Sequence, residues 1–189
     1  MSRAERAKQL LARARVIHDP AAVAHALDVQ AVAIARQLAD ADPLVLAVMS
    51  GGMWPTVELG RRFGFPHQVD YLHATRYRGG RRGGELDWRV SPRLALEGRT
   101  VLVIDDILDE GHTLAAVQVA CHRAGARSVA TAVLALKRHD RRAPGVAVDF
   151  HALEVPDEYV FGCGMDVDEY WRNLPAIYAV ATEGVEHER

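Results

Sequence analysis

The sequence predicts an α/β fold, a mostly parallel central sheet flanked by helices, and three observations carry that prediction. Short apolar runs alternate along the chain with stretches of helical periodicity, the pattern of strands joined by crossover helices. The run Val101 to Ile104 is wholly apolar, ends in two adjacent carboxylates, and is followed by a glycine turn that opens a helix. No repeats and no interdomain linker interrupt the chain, and 189 residues at 49% hydrophobic are enough for one domain with its own core.

The elements follow in order. Met1 to Arg15 is charged and lacks an apolar core, so it reads as a surface helix rather than a secretory signal. Asp19-Pro20 is an N-cap followed by proline at the first helical position. Val23, Leu27, Ala31, Ile34 and Leu38 then repeat at helical spacing, which predicts an amphipathic helix over about 20–39. Leu44 to Met49 is a short apolar strand, Ser50-Gly51-Gly52 a turn, and a helix runs on to about Phe63. Val69 to Thr75 is the next strand. Residues 76–88 carry four glycines and four arginines and read as a long mobile loop. After the strand Val101 to Ile104, a helix over about 112–124 stops at Gly125. Ser128 to Leu136, Phe150 to Val155, Tyr159 to Phe161 and Ile177 to Ala181 complete the set of strands.

Composition narrows the function classes. A net charge of −2 and a pI of about 6.5 offer no bulk attraction to nucleic acid, and no apolar run approaches membrane-spanning length. Cys121 and Cys163 form no Cys-x-x-Cys pair, which fits a reduced, cytoplasmic setting. Only Lys8 and Lys137 are lysines in a chain that otherwise uses arginine, so the lysine at the end of the strand Ser128 to Leu136 marks a place where a compact ammonium is wanted.

The chemistry concentrates at 105–113. Asp105 and Asp106 stand at the carboxyl end of a strand, where ligands of open α/β sheets bind. Adjacent carboxylates accept from a vicinal diol or hold Mg²⁺. In Asp109-Glu110-Gly111-His112-Thr113 the glycine permits a tight turn, the helix start presents backbone N–H groups to an anion, and Thr113 adds a hydroxyl. A diol site beside a phosphate cradle suits a sugar phosphate.

Val-Leu-Val-Ile-Asp-Asp-Ile-Leu-Asp-Glu-Gly-His-Thr resembles the phosphoribosyl-pyrophosphate signature of the type I phosphoribosyltransferases, in the form seen in the hypoxanthine–guanine group. The resemblance runs over about 40–181. It implies a type I phosphoribosyltransferase fold as a single domain, residues 1–189, with a core over about 40–140. A small hood over the base comes from the N-terminal segment and about 141–181. It implies transfer of the 5-phosphoribosyl group from phosphoribosyl pyrophosphate to hypoxanthine or guanine, with Mg²⁺, in a homodimer or homotetramer.

By the same resemblance, Asp105, Asp106, Ile107, Leu108, Asp109, Glu110, Gly111, His112 and Thr113 bind the phosphoribosyl group, and Asp109 takes the purine N7 proton. Ser50, Gly51, Gly52 and Arg172 bind pyrophosphate, with a cis peptide between Ser50 and Gly51. Lys137 donates to the 6-oxo group, Tyr159 stacks on the base, and Val160 and Asp166 complete the base site. Asp166 joins Asp105 and Asp106 at the metal. Arg76 and Tyr77 stand in the catalytic lid, where relatives carry Ser-Tyr, and His112 stands where many carry lysine. The alternative from another class is a phosphoribosyltransferase-like regulator that binds nucleic acid and senses phosphoribosyl pyrophosphate. About 40 residues before the core are few for a winged helix and linker. A donor at Lys137 suits a 6-oxopurine and disfavours adenine.

Overall fold

The computed structural model describes residues 1–76 and 86–181. The chain runs α1 (Arg3–Arg13), β1 (Arg15–His18), α2 (Pro20–Leu38), β2 (Leu44–Val48), α3 (Met53–Gly60), β3 (Gln68–Arg76), β4 (Leu86–Val90), β5 (Thr100–Leu108), α4 (His112–Arg123), β6 (Ser128–Lys137), β7 (Phe150–Val155), β8 (Val160–Phe161) and β9 (Ile177–Ala179). Six strands form one sheet in the order β4-β3-β2-β5-β6-β7, and β1-β9-β8 form a second, antiparallel sheet. Every pairing in the large sheet is parallel except that of the edge strand β4.

Local chemistry sets the helix starts. Ser2 and Glu5 close a reciprocal capping box on α1. Asp19 accepts the Ala22 N–H at 2.8 Å, with Pro20 opening α2. The strand pleat then sorts side chains to two cores. Val45, Leu102, Ile104 and Leu134 face α2 and α3 through Leu27, Ile34 and Leu59. Leu44, Leu46, Val101 and Val103 face α4 through Leu114, Val117 and Cys121. All five residues of β2 are buried, as a strand covered on both faces requires.

Two strands depart from the sequence reading. β1 is four residues long, too short for periodicity to reveal, and it exists because Arg15 and Val16 pair with Ala179 and Tyr178. Residues 86–90 form β4 against β3, with Arg76 paired to Leu86 and Ala74 to Trp88, so both ends of the predicted 76–88 loop belong to a strand ribbon. The remainder of that loop, Tyr77 included, lies outside the described residues. α3 also ends at Gly60 rather than near Phe63.

The sheet makes a crevice between β2 and β5. β2 pairs with β5 only as far as Ala47 opposite Ile104, whereas β5 continues against β6 to Leu108. From Asp105 onward the β2 side of β5 is therefore open. The chain leaves β2 through α3 toward β3, and leaves β5 through α4 toward β6, on opposite faces of the sheet. Diverging connections of this kind leave a gap at the carboxyl ends of the strands.

Candidate functional site

The gap is a cavity of about 360 Å³ lined by Val48, Met49, Gly51, Ala74 and the unbroken run Asp105 to Leu114. The acidic pair lies inside β5 rather than beyond its end, because β6 carries the ladder four residues past β2. Asp105 Oδ1 accepts the Asp106 N–H at 2.9 Å, and Asp106 Oδ1 accepts the Ile107 N–H at 2.7 Å. Burial, then the neighbouring Asp106 charge, push the Asp105 carboxyl well above the usual carboxylate range. Burial also pushes Asp106 up, against hydrogen bonds from Asp105 and the Ile107 N–H and the Arg172 charge.

The Ser50-Gly51-Gly52 turn closes against this pair. A Cβ at Gly51 would collide with the Asp106 carboxylate, and one at Gly52 with the Ile104 and Val48 carbonyl oxygens. The cis peptide is Met49–Ser50, one bond earlier than expected from the sequence, since β2 ends at Val48 and the turn begins with Met49. A third glycine, Gly164 at φ +106°, packs onto the Gly51 carbonyl and Asp106. This contact brings in the segment carrying Arg172, whose guanidinium donates to the Gly164 carbonyl at 2.8 Å and pairs with Asp166 at 2.5 Å.

The loop after β5 is an anion cradle by geometry. Gly111 N-caps α4 at φ +82°, and no side chain caps the helix, so its first N–H groups face the cavity mouth with Thr113 among them. His112 Nε2 lies 3.4 Å from a Glu110 oxygen. The Leu108 side chain is core, so only its main chain is available to a ligand. The Ala143 N–H donates to the Glu110 carbonyl at 2.8 Å and Val146 abuts Gly111, so residues 143–146 brace the loop from behind.

Asp109 joins this loop to the end of β6. Lys137 is the last residue of β6, and its ammonium donates to Asp109 Oδ2 at 2.7 Å. His139 Nε2 lies 2.6 Å from Asp109 Oδ1. Burial alone would push the Asp109 carboxyl up, but the hydrogen bonds and charges of Lys137 and His139 together hold it below the usual range. His139 is the residue that sequence reasoning missed. Its only signal was its place two residues after Lys137, and nothing in the sequence brings it to a carboxylate 30 positions earlier.

Arg76, Tyr159 and Val160 are not among the residues that line this cavity. Val160 is buried in β8, and Tyr159, directly before it, is 48% exposed with its phenol pushed up by burial and then by the Asp166 charge. Arg76 ends β3. No cluster of three or more metal-ligating side chains occurs among the described residues, so Asp105, Asp106 and Asp166 do not form one ligand group; Asp166 pairs with Arg172 and accepts the Glu169 N–H.

Fold and cleft together define an open, mostly parallel α/β protein with its crevice at the strand ends, floored by paired acids and rimmed by an uncapped helix start. The chain belongs to the phosphoribosyl transferase domain family, whose model matches residues 17–185. It is 30% identical over 138 residues to the hypoxanthine phosphoribosyltransferase of Escherichia coli K12, spanning 72% of this chain and 76% of that one. It is 29% identical over 143 residues to the hypoxanthine-guanine phosphoribosyltransferase of Lactococcus lactis, spanning 75% and 77%. Among solved structures, a hypoxanthine phosphoribosyltransferase from Staphylococcus aureus shares the fold with a TM-score of 0.83 at 23% identity, covering 88% of this chain and 91% of that one. The Trypanosoma cruzi hypoxanthine phosphoribosyltransferase in complex with IMP gives 0.80 at 24%, covering 89% and 94%.

Proposed function

We propose that this protein is a purine-salvage enzyme that transfers the 5-phosphoribosyl group from phosphoribosyl pyrophosphate to hypoxanthine or guanine, giving IMP or GMP and pyrophosphate. One observation carries the reading: a single continuous segment, Asp105 to Thr113, places paired acids, an uncapped helix start and the Lys137-bound Asp109 around one cavity. Those parts match, in order, a ribose diol, its 5′-phosphate and a 6-oxopurine.

Each residue has its work in this reading. Asp105 and Asp106 accept from the ribose hydroxyls. The Gly111 turn, His112 and Thr113 wrap the 5′-phosphate with backbone N–H groups and a hydroxyl. Ser50 and Gly51 offer main-chain donors to pyrophosphate, Gly51 pressed against Asp106 with the Arg172 charge nearby, and Gly52, whose N–H donates to the Val48 carbonyl at 2.7 Å, holds the turn. Lys137 donates to the 6-oxo oxygen, Tyr159 stacks on the ring, and Asp109 takes the N7 proton as N9 attacks. Asp109 is already ionised below neutral pH, as a base must be.

Two crowded, partly buried carboxylates are the donor chemistry that a hard divalent cation relieves, so Asp105 and Asp106 fit Mg²⁺. When bound, Mg²⁺ would supply charge stabilisation to the departing pyrophosphate. Asp166 serves that region through its pairing with Arg172. The chain is proposed as one domain, with the β1-β9-β8 sheet and residues 141–181 as the hood. We place it in the cytoplasm, in keeping with two unpaired buried cysteines; no described helix is long and apolar enough to cross a membrane. Self-association is supported by exposed apolar side chains, Val69 and Tyr71 on β3 and Met53 and Val57 on α3.

Steady-state kcat/KM for hypoxanthine, guanine, xanthine and adenine with phosphoribosyl pyrophosphate and Mg²⁺ is the test. Turnover of a 6-oxopurine and none of adenine is expected; activity with adenine alone, or with no base, overturns the reading.

A further inference from the structure

His139 lies 2.6 Å from Asp109, and its side chain is 3% exposed. Both ring nitrogens are engaged. Nδ1 accepts the Arg141 backbone N–H at 3.0 Å. Accepting there requires a free lone pair on Nδ1, so the ring hydrogen is on Nε2, and Nε2–H donates to Asp109 Oδ1. The turn that supplies the Arg141 N–H is itself pinned, because the Arg141 guanidinium grips Asp157 through both oxygens at 2.7 and 2.8 Å. The imidazole is thus fixed in place and in tautomer.

We propose that His139 is a positioning residue for phosphoribosyl transfer: its Nε2–H fixes the plane of the Asp109 carboxylate, so that the carboxylate meets the purine N7 proton. The inference rests on Asp109 being the group that takes that proton. In the reaction, the N9 lone pair forms the bond to C1 of the ribose. The electron pair of the C1–pyrophosphate bond leaves with pyrophosphate, and the N7 proton passes to an Asp109 oxygen.

Lys137 alone does not hold Asp109 in that posture. An ammonium on a four-carbon stem rotates freely and follows the carboxylate wherever it turns. It is also the group that must reach the 6-oxo oxygen. A buried, planar imidazole held at its far side follows neither movement. With His139 on Oδ1 and Lys137 on Oδ2, the carboxylate has two anchors on its two oxygens. A carboxylate accepts about four hydrogen bonds, so the proton arrives without displacing either anchor. Orientation of a base by a third group is the arrangement that nucleophile–base pairs use generally.

The test compares wild type with His139→Phe and His139→Gln, alone and in an Asp109→Asn background. His139→Phe keeps the ring volume and removes the donor. We expect it to retain phosphoribosyl pyrophosphate affinity and lower kcat for hypoxanthine by about 10- to 100-fold, the scale of a misplaced catalytic group. His139→Gln, whose amide nitrogen reaches the place of Nε2, should recover most of that loss. In Asp109→Asn, His139→Phe should cost little more. Unchanged turnover in His139→Phe, or a loss that persists undiminished in Asp109→Asn, overturns the inference. A ¹⁵N NMR spectrum of the wild-type histidines tests it without turnover or a folded variant. His139 should carry hydrogen on Nε2 and a bare Nδ1, and a ring with hydrogen on Nδ1 alone overturns the inference. Wild type inactive with every 6-oxopurine, but with this tautomer in place, would instead fail the proposed function.

Discussion

Asp109 is a carboxylate pulled in opposite directions. Burial favours its neutral form, whereas Lys137 and His139 favour the anion and win. If it is the base, Asp109→Asn should lower kcat by roughly 10²- to 10⁴-fold and leave phosphoribosyl pyrophosphate binding nearly intact, as measured by single-turnover kinetics and calorimetry. The pH dependence follows from the sign of the shift. A carboxyl held below its ordinary 3.8 stays ionised through the neutral range, so the acid limb of kcat/KM assigned to Asp109 should lie below that value. Lys137→Ala removes one of the two partners that lower it and should move the limb upward. It should also weaken binding of IMP, whose 6-oxo oxygen loses its charged donor, while leaving inorganic pyrophosphate binding unchanged. Unaltered nucleotide affinity in that variant would reduce Lys137 to an ordinary surface cation.

At the scale of elements, the turn after β2 and the strand β5 are built against each other. Gly51 approaches a side chain, the Asp106 carboxylate; Gly52 approaches main-chain oxygens of β2 and β5. The two glycines should therefore fail differently. Gly51→Ala displaces a movable carboxylate and should weaken pyrophosphate binding in calorimetry with a modest change in melting temperature. Gly52→Ala has no movable neighbour and should lower the melting temperature more. Equal effects on both readouts would show that the turn relaxes as a unit.

At the scale of the molecule, Asp70 ties the sheet to the segment that leads into β5. Buried on β3, it accepts the Tyr71, Arg93 and Leu94 N–H groups at 2.7–2.9 Å. Burial opposes its charge, but those donors hold its carboxyl below the usual range. A carboxyl whose folded value is depressed stabilises the fold above its unfolded value near 3.8 and loses that contribution as pH falls through the folded one. Asp70→Asn, with one acceptor oxygen for three donors, should cost about 1–3 kcal/mol at neutral pH, read by denaturant unfolding. The difference between variant and wild type should shrink in acid; a gap that stays constant down to the acid transition would mean that Asp70 is not charged in the fold.

The sequence by itself determined the order of elements and the ligand loop. Residues 101–113 are legible because strand, acids, turn and helix start are contiguous, and local rules of burial, φ and capping act within a few residues. The cap at Asp19, the tight turn at Gly111 and the buried faces of β2 and β5 were readable for the same reason. Only the tertiary structure decided what depends on distant partners. β1 forms because β9 returns beside it, and β4 because β3 offers an open edge; β1 is too short to declare itself, whereas the alternation Leu86-Asp87-Trp88-Arg89-Val90 was a strand signal that the reading of 76–88 as one loop passed over. The Asp105–Asp106 pair becomes a cleft floor because β2 stops pairing with β5 at Ala47 while β6 continues to Leu136. Asp109, Lys137 and His139 meet across 28 and 30 residues of chain. Their contact is set by parallel register and by a turn pinned at Arg141, and sheet register is a property of paired strands that no single segment encodes.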